Sequence, residues 1–373
     1  LLWAGSPLMN WASGGAKEYN AELCKRGADA LGQALALTES TNRYELADFS
    51  EYNDIFLLHN SSGKLNGVKE SIFMENIKDY SGRWRWNMVN DFRPQSIEYS
   101  GIKCYPTANY VNYYGMQNGY PINDMTKADA ESGYDPTHPW KNRDPRFYKT
   151  IMFDGVKWKS TGGAGGTAEL FTGGRESEEA NEKKGCFTAY MNSKLCPQLM
   201  NTVDGYKENN IMILSLMRLA DVYLMYAEAT AVGYNGPKGK AATYSLTAEE
   251  ALNKIRERAG VAPVLDKFLG STADFLSELR RERAVELSFE GFRFIDLRRW
   301  MLLTQYPYTL KTKIEFDRAD PSDYNYDEPE ENAIKNLREV VLLERKYTDR
   351  HYWYPLPKKD VSMYEGFYQN PGW

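Results

Sequence analysis

Between Asp79 and Asn87 the chain reads Asp-Tyr-Ser-Gly-Arg-Trp-Arg-Trp-Asn, a set of residue types suited to holding a sugar. A saccharide presents apolar C–H faces and hydroxyl edges. Flat aromatic rings cover the faces, and Arg, Asn and Asp side chains hydrogen-bond the edges. In an extended segment Trp84 and Trp86 project to the same side and make a two-ring platform. Tyr80, Arg83, Trp84, Trp86 and Asn87 are therefore candidate ligand contacts; the competing expectation is that one or both tryptophans plug this loop into the core. A second aromatic set, Tyr110, Tyr113, Tyr114 and Tyr120, gathers around Gly115 and Gly119, with Tyr113 as its candidate contact. Trp158 ranks third as a candidate, beside Trp140, while Trp3, Trp11, Trp300, Trp353 and Trp373 sit in helical or terminal contexts that suit a core.

Catalytic chemistry has less to work with. Glu286 and Glu290 stand four residues apart on a helical stretch, a spacing at which two carboxylates can hold a metal or share a proton. Arg281, Arg283, Arg293 and Arg298 interleave with them and with Asp296, so structural ion pairing at spacings of three and four is the stronger expectation. Asp79, Asp91 and Glu98 are the carboxylates nearest the aromatic loop, and a glycosidase would need two such groups flanking a cleft. His59, His138 and His351 are scattered in loop-like contexts with no nucleophile beside them. Cys24, Cys104, Cys186 and Cys196 form no C-x-x-C pair, so zinc or redox chemistry is not expected; buried free thiols are favoured over a Cys186–Cys196 bridge. Asp317, Asp320, Asp323, Asp327 and Glu328 cluster without the spacing of a calcium-binding loop and read as a solvated segment. No cofactor is expected, with calcium left open.

The elements that must position these residues change character along the chain. Residues 16–37 are rich in Ala and Leu at helical spacing. From Asn53 to Gly185 the periodicity is lost, and Gly, Pro, Asn and Tyr punctuate short apolar runs; loops of this length usually carry function. Gly162–Gly166 is a flexible turn, not a phosphate loop, because no Lys-Ser/Thr follows it. The apolar run from Ile211 to Val232 contains Arg218, Asp221 and Glu228, which makes it a buried helix and not a membrane span. Thr247 and Glu250 form a capping box for a helix ending at Gly260, a further helix runs from Ser271 to about Glu290, and another from Phe292 to Leu303. Small residues such as Ala227, Ala229, Ala251 and Ala259 at the crossings suggest tetratricopeptide-like pairs. After Tyr306 the chain reads as irregular. The chain has 373 residues and a net charge of −5, so no global basic field draws it to nucleic acid, and its 14% of aromatic residues is high.

Five ordered motifs resemble the SusD/RagB family: Asn142–Phe147 (NRDPRF), Arg218–Ala229 (RLADVYLMYAEA), Leu252–Val261, the stretch from Arg281 to Trp300, and the ending Tyr354–Pro357 with Gln369–Trp373. The first 60 residues are similar only as alanine-rich repeat helices. The resemblance implies a mainly α fold in which tetratricopeptide-like helix pairs cradle a loop-rich ligand-binding half. Residues 1–52 would be partial amino-terminal repeat helices, 53–209 the ligand-binding region, and 210–373 the carboxy-terminal helices and aromatic tail, all in one integrated domain. It also implies that the stretch from Pro106 to Ile122 is largely structural.

In function, the resemblance implies a non-enzymatic glycan receptor that delivers its ligand to a SusC-like TonB-dependent transporter at the surface of a Gram-negative outer membrane. Oligopeptide binding on the same fold is the alternative, and a glycoside hydrolase is the less favoured third. Membrane attachment is expected only through a lipid anchor. The chain opens on Leu1-Leu2-Trp3 and is read as starting inside a helix, with signal and anchor upstream of it.

Overall fold

The structure, a computed structural model, describes residues 1–58, 67–76, 92, 104–160, 166–178, 185–196, 201, 203–204, 211–363 and 365–373. The helices used below are α1 (Pro7–Ala12), α2 (Ala21–Thr41), α3 (Ala108–Val111), α4 (Pro145–Thr150), α5 (Leu219–Gly233), α6 (Ala248–Ala259), α7 (Thr272–Glu286) and α8 (Phe292–Arg299). The strands are β1 (Leu57–Leu58), β2 (Ser71–Asn76), β3 (Ile151–Met152), β4 (Met191–Asn192), β5 (Ile211–Arg218), β6 (Leu310–Arg318) and β7 (Ile334–Glu344).

Helix α5 is the axis of the helical half. It is buried on almost every side, as a helix apolar all round must be, and α2, α6 and α7 pack against it. Alanines at 220, 227, 229 and 231 keep its surface shallow enough for close crossings, and its partners contribute Leu35, Leu252, Ile255, Phe275 and Leu279 to one core. On α2, a Cβ at Gly32 would lie 2.6 Å from Thr243 Oγ1 and 2.9 Å from Tyr244 Cβ, so no larger residue fits there without displacing the neighbouring segment. The helix expected over residues 16–37 runs Ala21–Thr41, and those expected to reach Glu290 and Leu303 end at Glu286 and Arg299, while local capping sets the starts. The Asn20 side chain accepts the Leu23 N–H, and the Thr247–Glu250 capping box is complete; α6 then ends on Gly260 at φ 71°.

The apolar run expected to form one helix from Ile211 is divided. Residues Ile211–Arg218 are β5, the middle strand of an antiparallel sheet ordered β1-β5-β2, with Leu57 opposite Met212 and Ser71 opposite Arg218. Hydrogen bonding along both edges favours the strand, and Arg218 keeps an extended backbone (φ −135°, ψ 161°) before α5 begins at Leu219. The segment after Tyr306 also differs from the irregular reading. Strands β6 and β7 pair antiparallel, Leu310 opposite Glu344 and Arg318 opposite Ile334, and the alternating Thr312, Ile314, Phe316 and Arg318 side chains are buried.

The loop-rich half has its own core. Trp140 stacks on Phe153 at 5.0 Å and Phe147 on Phe153 at 5.2 Å, with Ile314 and Phe316 of β6 closing the cluster. No helix among the described residues is long and apolar enough to cross a membrane. Cys24 and Cys186 are buried thiols outside any disulfide, Cys196 is buried and Cys104 is exposed.

Candidate functional site

A buried lattice of charge joins the two halves. Arg218, at the end of β5, donates to Glu70 (2.6 Å), Glu286 (2.7 Å) and both oxygens of Glu290 (2.8 Å each). Glu286 also receives Arg258 (2.5 Å) and Arg146 (2.9 Å), and Arg258 returns to Glu70 (3.0 Å). Arg146 reaches Asp144 and Glu282, Arg256 joins Glu282 to Glu278, Arg281 pairs with Glu278, and Lys194 pairs with Glu290. Arg146, Lys194, Arg218, Arg256, Arg258 and Arg281 thus face an equal number of carboxylates: Glu70, Asp144, Glu278, Glu282, Glu286 and Glu290. Burial alone would raise the Glu286 carboxyl; Arg258, Arg218 and Arg146 outweigh it and hold the group well below the ordinary carboxylate value. Burial likewise opposes ionisation of Glu290, and Arg218 with Lys194 reverses the direction. These carboxylates are scaffold, as their company of arginines suggested. Their partners, however, come mostly from other elements and not from the next helical turn.

The lattice holds an aromatic groove. Arg281 donates to the carbonyls of Tyr113 (3.3 Å) and Gly119 (2.8 Å), which fixes the loop behind α3. Arg143, also buried, donates to the carbonyls of Val111, Tyr114, Gly115 and Pro139 at 2.9–3.2 Å. Tyr110 Oη donates to Ala284 O at 2.6 Å, and Tyr114 Oη to Ser288 Oγ at 2.7 Å, so the α3 segment is pinned to α7 and the turn after it. Asn109 fastens the same segment to β6 through Thr312 Oγ1 and Leu310 O, each at 2.9 Å.

Two adjoining cavities open along this segment. The first, of about 390 Å³, is walled by Tyr105, Tyr110, Tyr113, Tyr308, Phe289 and Phe294, with Arg293, Lys311 and Arg345 among the rings. The second, of about 440 Å³, shares Asn109, Tyr113 and Leu310 with it and adds Asn112, Asn123, Thr312, Glu339 and Tyr306. Tyr113 stands between them. Its ring meets Tyr110 edge-on at 5.7 Å and carries the Arg293 guanidinium 4.7 Å above its centroid; Arg293 also lies 5.4 Å from the Tyr308 ring. Burial raises the Tyr113 phenol, with Arg293 opposing, so the hydroxyl is a neutral donor at physiological pH. The Asn112 amide oxygen is buried beside the second cavity and has no hydrogen-bond partner among the described residues. Rings and hydroxyl, amide and guanidinium groups together can take a ligand with flat apolar faces and polar edges.

The SusD family matches residues 69–373 of this sequence. The chain belongs to the SusD family. Its fold is similar to that of a SusD-like protein from Bacteroides fragilis NCTC 9343 at 22% identity, with a TM-score of 0.66 over 94% of this chain and 62% of that one. A SusD-like carbohydrate binding protein from the same strain aligns at 19% identity, TM-score 0.59, over 91% of this chain and 60% of that one. A SusD superfamily protein from Parabacteroides distasonis aligns at 17% identity, TM-score 0.50, over 100% of this chain and 60% of its own length. The chain therefore spans about three-fifths of the length of these SusD-like structures. No curated protein matches the sequence.

In this SusD-family chain the residues singled out from sequence fall in three places. Tyr80, Arg83, Trp84, Trp86 and Asn87, like Asp79, Asp91, Glu98 and His59, lie outside the described residues. Tyr113 is half-buried and central to the groove. Trp158 is 4% exposed and packs within the second core. Trp140 and Trp300 are buried as well, whereas Trp3 and Trp373, expected in the core, are each 43% exposed. Asp320, from the acidic cluster, caps the turn at Pro321–Asp323 by accepting the Ser322 N–H. Among the described residues no group of three or more His, Cys, Asp or Glu side chains is placed to hold a metal ion.

Arg293 was grouped with the ion pairs because Glu290 and Asp296 stand three residues to either side. Gly291, at φ 88°, breaks the helix between Glu290 and Arg293, so the spacing rule does not reach Glu290, while Asp296, on α8 with Arg293, is taken by Arg283 and Arg299. Lys311 and Arg345 had no sequence signal of their own. The antiparallel pairing of β6 with β7 brings them together.

Proposed function

We propose that this chain captures glycans at the surface of a Gram-negative bacterium and hands them to a SusC-like TonB-dependent transporter. The observation that carries the reading is the groove around Tyr113 on a SusD-family fold, with aromatic walls and guanidinium, phenol and amide groups between them. Such a surface covers sugar faces and hydrogen-bonds their hydroxyls. Among the described residues the first cavity is lined by no Asp or Glu and the second by Glu339 alone, which supports binding without catalysis, since glycosidic hydrolysis would need two carboxylates. Tyr80, Arg83, Trp84, Trp86 and Asn87 are proposed to contribute further ligand contacts, and a lipid anchor to attach the whole protein to the outer membrane.

Native affinity electrophoresis through gels containing neutral and acidic polysaccharides tests this reading, with a Trp84→Ala/Trp86→Ala double variant run alongside. Retardation by one glycan class supports capture, and its loss in the double variant assigns those tryptophans to the site. If no polysaccharide retards the protein while an oligopeptide library does, the ligand class is peptide. Co-purification with a SusC-like barrel from the same cells tests delivery, and a barrel that never co-purifies in the presence of ligand removes that half of the proposal.

A further inference from the structure

Arg293, Lys311 and Arg345 all line the first cavity, and among the described residues no Asp or Glu does. Among the described residues none of these three half-buried cations makes an ion pair, in a protein whose net charge is −5 and whose fully buried Arg143, Arg146, Lys194, Arg218 and Arg256 bond carboxylates or carbonyls. Among the described residues this positive charge is thus concentrated locally and has no carboxylate paired with it. Burial and the neighbouring Arg345 push the Lys311 ammonium below its ordinary value, which is the response of crowded cations that lack an anion. The Arg293 guanidinium lies 4.7 Å from the Tyr113 ring centroid and 5.4 Å from that of Tyr308, and these two rings limit where its planar fork of donors can reach. The adjoining cavity is different in character: Asn109, Asn112 and Asn123 line it, with Arg281 and Glu339 on its walls.

Resting on the reading of the groove as a glycan site, we infer that it selects anionic saccharides. A uronate carboxylate or a sulfate ester seats among Arg293, Lys311 and Arg345, and the ring that bears it lies along the aromatic wall. A following neutral sugar reaches the asparagines beyond Tyr113. An oxyanion accepts the paired donors of a guanidinium in one plane, which a neutral hydroxyl does not do. The overall negative charge repels polyanions in general, so retention of one needs a local cluster of cations such as this.

The test is affinity electrophoresis and calorimetric titration with polygalacturonate, its carboxyl-reduced neutral counterpart, chondroitin sulfate and dextran. The wild type is compared with a Lys311→Gln/Arg345→Gln variant whose melting temperature is first matched to wild type. The expected result is binding to polygalacturonate or chondroitin sulfate. It should weaken with salt and fall about tenfold or more for each cation removed, the size of a hydrogen bond to a charged group. Polygalacturonate against chondroitin sulfate separates carboxylate from sulfate recognition. Binding to dextran or the carboxyl-reduced polymer but to neither acidic one overturns the anionic selectivity and leaves glycan capture standing. Acidic binding that the variant retains moves the anion site away from this groove. Binding to no polysaccharide removes capture and selectivity together.

Discussion

Replacing Glu286 with glutamine keeps the shape of the side chain and removes one negative charge from the centre of the lattice. Three guanidiniums, those of Arg146, Arg218 and Arg258, lose their shared counter-ion, and all four side chains are buried. Arg146 keeps Asp144 and Glu282, Arg218 keeps Glu70 and Glu290, and Arg258 keeps Glu70, so the balance passes from neutral to one excess positive charge. Removing one partner of a buried, hydrogen-bonded ion pair costs about 3–5 kcal/mol, chiefly because the remaining charge stays desolvated. With an unfolding entropy of about 2.1 cal/mol/K per residue over 373 residues, that corresponds to a melting temperature lower by about 4–6 °C. Differential scanning calorimetry of E286Q measures it, with K17A as the reference. Lys17 and Asp349 are exposed and 2.7 Å apart, and the loss of such a pair costs at most about 1 kcal/mol. If E286Q melts within a degree of wild type, the lattice is not holding the two halves together and the account of how Tyr113 is positioned fails.

Three further outcomes follow from the same structure. Because Glu286 and Glu290 are held below the ordinary carboxylate value of 4.5, their contribution is fully present above that pH and is lost as pH falls through the folded values. Denaturant midpoints should therefore be level from pH 7 to about 5 and drop steeply beneath about 4, and a midpoint that rises on acidification contradicts this. Gly115→Ala would place a Cβ 2.3 Å from the Tyr120 carbonyl oxygen, a backbone atom that cannot swing aside, so it should destabilise by about 1–3 kcal/mol in urea titration. Thr247→Ala removes the capping box of α6 and should cost about 1 kcal/mol without altering ligand binding, checked by the urea midpoint and by retention in the same polysaccharide gel.

Much of the helical half was legible because its signals are local. The capping box at Thr247, the stop at Gly260 and the start at Ser271 are each decided within one helical turn. The strand at Ile211–Arg218 was hidden because an apolar run has no period to read; its partners, at Leu57 and Ser71, lie far away in sequence. The β6–β7 hairpin was missed for a related reason. Only its first strand alternates, while Val340, Val341, Leu342 and Leu343 follow one another on the second. Tyr113 could be singled out as an aromatic residue in a glycine-punctuated loop. Trp158 met the same description and is buried, because ring type and loop context do not say which face of a segment meets the core. The cationic lining of the groove comes from α8, β6 and the end of β7, and only the tertiary pairing of those elements places Arg293, Lys311 and Arg345 together.

The most direct measurement of the central claim is calorimetric titration of an oligosaccharide, prepared from whichever polysaccharide retards the protein, into wild type and Tyr113→Ala at matched melting temperature. Tyr113 is the wall shared by both cavities. The account predicts that its loss weakens binding about tenfold or more, as expected when a ring contact and a hydrogen bond are removed together. An unchanged Kd would contradict it and place glycan recognition somewhere other than this groove.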